Sequence, residues 1–148
     1  MTPWSFIASG FGVGLIPKAP GTFGSLLGLI IGCLLLSLGH IALIIGIVIV
    51  IVVGTHAIGK LPDATKDPGW IVIDEIAGQM LPLLALIQVT IWGALVAFLL
   101  FRFFDILKPG PVGWADKRKD KYGVMGDDLV AGLLALLVMI FLYRVLHL

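Results

Sequence analysis

Four long apolar runs, at residues 23–38, 41–53, 80–101 and 129–146, constrain this chain more than any other feature. The hydrocarbon core of a bilayer asks for roughly 20 consecutive apolar residues per helix. Hydrophobic residues make up 59% of the 148 and charged residues 13%, which leaves too little polar surface for a domain bathed in water. The predicted fold class is all-α: an integral membrane helical bundle, one domain over residues 1–148. Several runs are short for a span, and tilt, local thinning or an extra interfacial turn such as His56-Ala57-Ile58 accommodates them. The first residues, Met1 to Leu15, hold no Lys or Arg and are broken by Gly10, Gly12 and Gly14, unlike a cleavable signal peptide, so they are expected to be retained. The single cysteine, Cys33, excludes an intramolecular disulfide. A net charge of +1 gives no case for nucleic acid, and Lys117-Arg118-Lys119 with Lys121 reads as a patch for membrane lipids.

All nine carboxylates fall between Asp63 and Asp128. Random decoration of a bundle would spread acids over both helix ends, so this confinement suggests that two connecting regions assemble one site. A continuous helix from Asp74 to Asp105 would hold its ends about 46 Å apart and put them on opposite sides of the membrane. It would split the lysines as well, with Lys60 and Lys66 on one side and Lys108 to Lys121 on the other. A break near Gln88-Val89-Thr90 removes both difficulties and predicts a hairpin of two short helices, 73–87 and 90–106, each roughly 22–25 Å long. The bundle then has about five membrane-embedded helices. Lys18, Thr22, Lys60, Lys66, every acid and residues 102–121 lie on one face. Gly39-His40, the Gln88 turn, Arg144 and His147 lie on the other. The excess of basic residues makes the charged face, with its loops, cytoplasmic. Trp70 and Trp114 mark that interface and Trp92 the far one. Four plain spans with a divided acid set are the alternative.

Four stretches carry candidate chemistry. In Pro17-Lys18-Ala19-Pro20-Gly21-Thr22-Phe23-Gly24-Ser25, a loop runs into a helix whose first N–H groups and dipole favour an anion, with Lys18, Thr22 and Ser25 as further donors. An ordinary N-cap by Thr22 explains the same pattern. The spacing of Gly24, Gly28 and Gly32 suits close helix packing. Asp74 and Glu75 head an apolar helix, where acids are costly and so are functional candidates, and Gly78 admits another backbone or a substrate. Asp105 and Lys108 share a helix face just before Pro109, either as an ion pair or as a metal ligand beside a phosphate donor, and Asp116 follows. Asp127 and Asp128 head the last helix, so that Asp128-x-x-Ala131-Gly132 echoes Asp74-x-x-Ala77-Gly78. Three or more carboxylates are what a hard cation such as Mg²⁺ accepts. The scattered His40, His56 and His147 give no zinc pattern.

Together with Ile71-Val72-Ile73-Asp74-Glu75, Phe101-Arg102-Phe103-Phe104-Asp105-Ile106-Leu107-Lys108-Pro109-Gly110-Pro111 and Gly123-Val124-Met125-Gly126-Asp127-Asp128-Leu129-Val130-Ala131-Gly132, the 17–25 loop resembles the phosphatidylglycerophosphatase A family over nearly the whole chain. The resemblance implies a bacterial cytoplasmic-membrane enzyme, dependent on Mg²⁺, that converts phosphatidylglycerophosphate into phosphatidylglycerol and phosphate. It favours the hairpin too, although the family typically has a polar turn where this chain has only Gln88-Val89-Thr90. The resulting expectation is that Asp74, Glu75, Asp105, Asp127 and Asp128 bind one or two Mg²⁺ ions, with Asp116 joining them or orienting a ligand. Lys18, Thr22, Ser25 and Lys108 would hold the phosphate. Water and a carboxylate both remain open as the nucleophile. The alternative function, a small ion-coupled transporter or channel subunit, predicts acids spread through the depth of the bilayer. A purely structural lipid-binding protein would tolerate Asp74→Asn or Asp128→Asn.

Overall fold

The structure, a computed structural model, describes residues 2–62, 68–110, 113 and 120–146. The expectations placed on Asp63, Lys66, Asp67, Trp114, Asp116, Lys117-Arg118-Lys119 and His147 lie outside the described residues.

Every regular element among the described residues is helical. A short α1 (Pro3–Ala8), closed by reciprocal Thr2–Ser5 hydrogen bonds, leads to left-handed turns at Gly10 and Gly12 and a 3₁₀ turn at Val13–Leu15. This segment lies over residues 70–72: Val72 N–H donates to the Ala8 carbonyl at 2.9 Å, and a Cβ on Gly14 would collide with the Trp70 carbonyl. Helix α2 (Pro20–Leu38) begins at a proline, which needs no N–H at that position. It ends at Gly39, whose φ of 132° is open to glycine alone, so α3 (His40–Gly59) turns back after one residue.

Helix α4 (Ile73–Met80) is followed directly by a 3₁₀ stretch, Leu81–Ala85. Pro82 cannot donate the next α-helical bond, and the chain tightens there, with Leu81 N–H reaching the Gly78 carbonyl. Leu86 is extended, and Thr90 restarts the chain by accepting from Gly93 N–H at 3.0 Å at the head of α5 (Ile91–Leu107). The two short helices predicted at 73–87 and 90–106 are thus found at 73–85 and 91–107, with the break where Gln88-Val89-Thr90 placed it. Asp120 caps α6 (Lys121–Ile140), which runs on as a π-helical turn, Phe141–Val145.

Three helices, Pro20–Leu38, His40–Gly59 and Lys121–Val145, are long and apolar enough to cross a membrane. The outer face of α3 shows what solvent it is built for, since Ile41, Ile45, Val48, Ile49 and Val52 are all exposed. A continuous apolar face of this kind is stable against hydrocarbon rather than water. Helix α4 is the hub. All its residues except Glu75 are buried, and it packs between α2 and α6. Gly24, Gly28 and Gly32 of α2 meet Val72, Ile76 and Leu83 respectively, so the small-residue series is a packing surface, as expected.

The helix ends sort as the hairpin requires. At the end away from the acids, the His40 ring nitrogen Nε2 lies 2.6 Å from the Leu86 carbonyl and Arg144 Nε donates to the Ala85 carbonyl at 3.4 Å. Two chain termini of helices and the α4–α5 break are thereby joined, and carbonyls released by the break are paired.

Candidate active site

Asp74 and Glu75 occupy the first turn of α4, where unpaired N–H groups and the helix dipole favour carboxylates. Asp127 and Asp128 lie in the second turn of α6. What brings the two pairs together is a backbone crossing. A Cβ added to Gly132 would fall on the Gly78 carbonyl, and one added to Gly78 on the Asp128 carbonyl and the Phe101 ring. Each glycine follows an aspartate by one turn, so the close approach sets Asp74 and Asp128 side by side. One oxygen from each of Asp74, Glu75 and Asp128 lies within 4.8 Å of the others. The Asp128 carboxyl is also within hydrogen-bonding range of Asp105 on α5. Asp74, Asp105, Asp127 and Asp128 are all at most 8% exposed, although each is a residue that water normally claims.

Two cations reach this cluster from α5. Arg102 Nη1 donates to Asp105 Oδ2 at 2.6 Å and to Ser25 Oγ of α2 at 3.4 Å. Lys108 ends α5 in a left-handed conformation (φ 49°, ψ 53°), and the Pro109 that follows it bars the right-handed helical one. Its ammonium meets Asp127 Oδ2 at 2.9 Å and Asp105 Oδ1 at 3.8 Å. Burial works against the charged amine, but the hydrogen bond and charge of Asp127, with the charges of Asp105 and Asp128, outweigh it and hold the Lys108 ammonium above the ordinary lysine range. Asp127 also accepts from Asp128 N–H at 2.9 Å.

The start of α2 closes the site. Ala19 stands at the N-cap with no side chain to offer, so Thr22 does not cap the helix; it lies in the first turn and its hydroxyl is not spent on capping. A Cβ on Gly21 would meet Glu75 Oε1 at 2.8 Å, so a carboxylate already lies against the positive end of this helix. Among the described residues, Asp74, Glu75, Asp105, Asp127 and Asp128 thus lie together with Arg102 and Lys108. Carboxylates so close and so buried are stabilised by cations beside them, and Arg102 and Lys108 are two that reach the cluster.

The family model described as phosphatidylglycerophosphatase A matches residues 6–143. The chain belongs to this phosphatase family. A Haemophilus influenzae phosphatidylglycerophosphatase A is 40% identical over 142 residues, covering 93% of this chain and 87% of that protein. The Escherichia coli phosphatidylglycerophosphatase A is 33% identical over 144 residues, covering 95% and 83%. A Bacteroides thetaiotaomicron protein, provisionally named a phosphatidylinositol-3-phosphatase, is 40% identical over 134 residues, covering 85% and 84%. No solved structure matches the chain.

Against the residues expected from sequence, the structure gathers Asp74, Glu75, Asp105, Asp127, Asp128, Lys108 and Ser25 at one end of the bundle. Lys18 is exposed on the loop before α2, with no ion pair among the described residues. Two residues were missed. Arg102 pairs with Asp105 three residues on along α5, a spacing visible in the sequence, and reaches Ser25, 77 positions away, a contact that no local pattern announces. Gln79, one turn below Glu75, is fully buried with neither amide atom hydrogen-bonded among the described residues. A lone glutamine within apolar sequence beside an acid pair was the available signal.

Proposed function

We propose that this chain is a phosphatidylglycerophosphatase of the bacterial inner membrane, releasing phosphate from the lipid head group at the cytoplasmic face. The observation that carries the reading is the meeting of acids from α4, α5 and α6 beside Arg102 and Lys108 at a single end of an apolar bundle. An ion-coupled carrier would carry its acids through the bilayer depth, whereas here they crowd one level. The positive-inside tendency of Lys18, Lys60, Arg102, Lys108 and Lys121 supports the cytoplasmic assignment.

The donor set fits a divalent cation. Its oxygens are all carboxylate, the hard ligands preferred by Mg²⁺, and three fall within one small sphere. Asp74, Glu75 and Asp128 would hold the ion. When bound, it supplies charge neutralisation of phosphoryl oxygens, an activated water and a stabilised leaving alkoxide. Arg102 and Ser25 bind the phosphate from the α2 side and Lys108 from the α5 terminus, with Thr22 and Lys18 at the rim. Asp105 fixes the Arg102 guanidinium in its fork, and Asp127 holds the Lys108 ammonium against the cluster. Asp116 would either join the metal ligands or orient one of them.

The test is phosphate release by purified protein in detergent, without a membrane gradient, from phosphatidylglycerophosphate, phosphatidylinositol 3-phosphate and phosphatidic acid, each with Mg²⁺ or a chelator. Fastest turnover of the first, lost on chelation and restored by Mg²⁺, is expected. Preference for the inositol lipid would transfer the substrate assignment to the activity named for the Bacteroides relative. Turnover of none would end the enzyme reading.

A further inference from the structure

Ser25 and Arg102 come from α2 and α5, and the same two helices part just below them. A cleft of about 430 Å³ opens there, lined by Leu29, Ile30, Cys33 and Leu34 on one side and Val89 and Ala94 on the other. Its α2 wall continues the site residue by residue, because Ser25, Leu29 and Cys33 follow at intervals of four and lie on one helix face. Its α5 wall runs antiparallel, Ala94 standing eight residues before Arg102 as Cys33 stands eight after Ser25. Eight residues of helix measure about 12 Å, so the cleft opens at Leu29, one turn beyond Ser25, and runs away from the polar pair toward Ser37 and Val89, which also line it. Ile30 and Leu34 are more than half exposed at its edge, which leaves it open sideways. A groove of similar size between α3 and α6, lined by Ile51, Val52, Met125 and Leu129, has Lys121 and His56 at its mouth rather than the Ser25–Arg102 pair.

We propose that the α2–α5 cleft seats one acyl chain of the lipid substrate, which enters laterally from the bilayer and is held with its tail on Leu29 and Cys33 while Ser25 and Arg102 take the phosphate. This rests on the lipid phosphatase reading above. An apolar cleft that begins one helical turn beyond a polar pair on the same two helices matches the substrate's own division into head group and tail, with room for the glycerol between them. Binding energy from the tail is thereby available to hold the reacting phosphate in place.

The experiment compares phosphate release from dioleoyl and dihexanoyl phosphatidylglycerophosphate in detergent. Cys33→Trp and Ala94→Trp fill the cleft; Val52→Trp fills the α3–α6 groove instead. For the two cleft variants, kcat/KM on the dioleoyl lipid should fall by about tenfold while the dihexanoyl value stays within about twofold. The retained short-chain activity shows that the site is still folded, and Val52→Trp should treat both lipids as the unsubstituted protein does. Equal losses on both chain lengths in both cleft variants, no loss on either lipid, or a chain-length effect confined to Val52→Trp would each overturn the proposal. In a second measurement, a dioleoyl-like substrate carrying a mid-chain diazirine should crosslink to residues 29–34 and 94, in competition with unlabelled substrate but not with phosphatidylcholine. Crosslinks spread evenly over the α3 outer face would also overturn it. Failure of the enzyme reading itself looks different, because the unsubstituted protein would then release phosphate from neither lipid.

Discussion

The two ends of the bundle handle buried polarity in opposite ways. At the far end, the carbonyls of Ala85 and Leu86 are met by Arg144 and His40, so the polar groups released by the broken helix are paired. At the acid end, among the described residues, helix packing draws five carboxylates together beside Arg102 and Lys108. The far end resembles ordinary structural satisfaction, whereas the acid end concentrates buried charge, for which each neighbouring cation matters. Under the proposed function, the paired end serves stability and the acid end serves chemistry.

Breaking the acid end should give the largest effect. Asp128→Asn keeps the shape and removes the charge, and phosphate release should fall on the order of 10³-fold. If the variant elutes and melts like the parent yet retains activity within tenfold, the cluster is not the reaction centre. Arg102→Ala should follow, with a loss of about 10²-fold in kcat/KM, as for removal of one aligned donor to a developing charge. Because Ser25 meets only one arm of that guanidinium, Ser25→Ala should lose less, and the reverse ranking would contradict the clamp.

Lys108→Met is smaller again, about tenfold in activity, because its ammonium is a single point-charge contact to the phosphate and is shared with Asp127. It also carries a sign. The folded chain raises the Lys108 pKa, so its stabilising contribution is complete below the ordinary lysine range and disappears only as pH climbs through the raised value. The difference in melting temperature between parent and variant should therefore be constant from about pH 6 to 9 and shrink only under strongly alkaline conditions. A gap that closes near neutrality would refute this account of the ammonium.

The smallest catalytic effect belongs to the far end. His40→Ala leaves the Leu86 carbonyl without its 2.6 Å partner and should cost about 1–2 kcal/mol of stability. Activity per folded molecule should not change. A selective fall in turnover, with stability intact, would abolish the division between the two ends.

Much of this arrangement was legible one residue at a time. The confinement of acids to 63–128 pointed to a shared region in which five of them meet, and Gly78, read as able to admit another backbone, does so where it crosses Gly132. The break at Gln88-Val89-Thr90 followed from geometry, because an unbroken helix could not return Asp105 to Asp74. Other features were not legible. Thr22 has the composition of a cap, yet Ala19 takes that position; Glu75 occupies the anion-favouring start of α2; and Asp127 is turned to Lys108 rather than grouped with the three closest oxygens.

By itself, the sequence determined that the chain is helical, apolar outside and charged at one end, because hydropathy, glycine spacing and breaker residues act within a few turns of the residue that carries them. Only the tertiary structure decided which acids touch, that Arg102 ties Ser25 to Asp105, and where α2 and α5 part. Those outcomes depend on how far each helix is rotated and how closely its glycines let it approach its neighbours. Rotation and approach are properties of packed pairs, and no single segment encodes them.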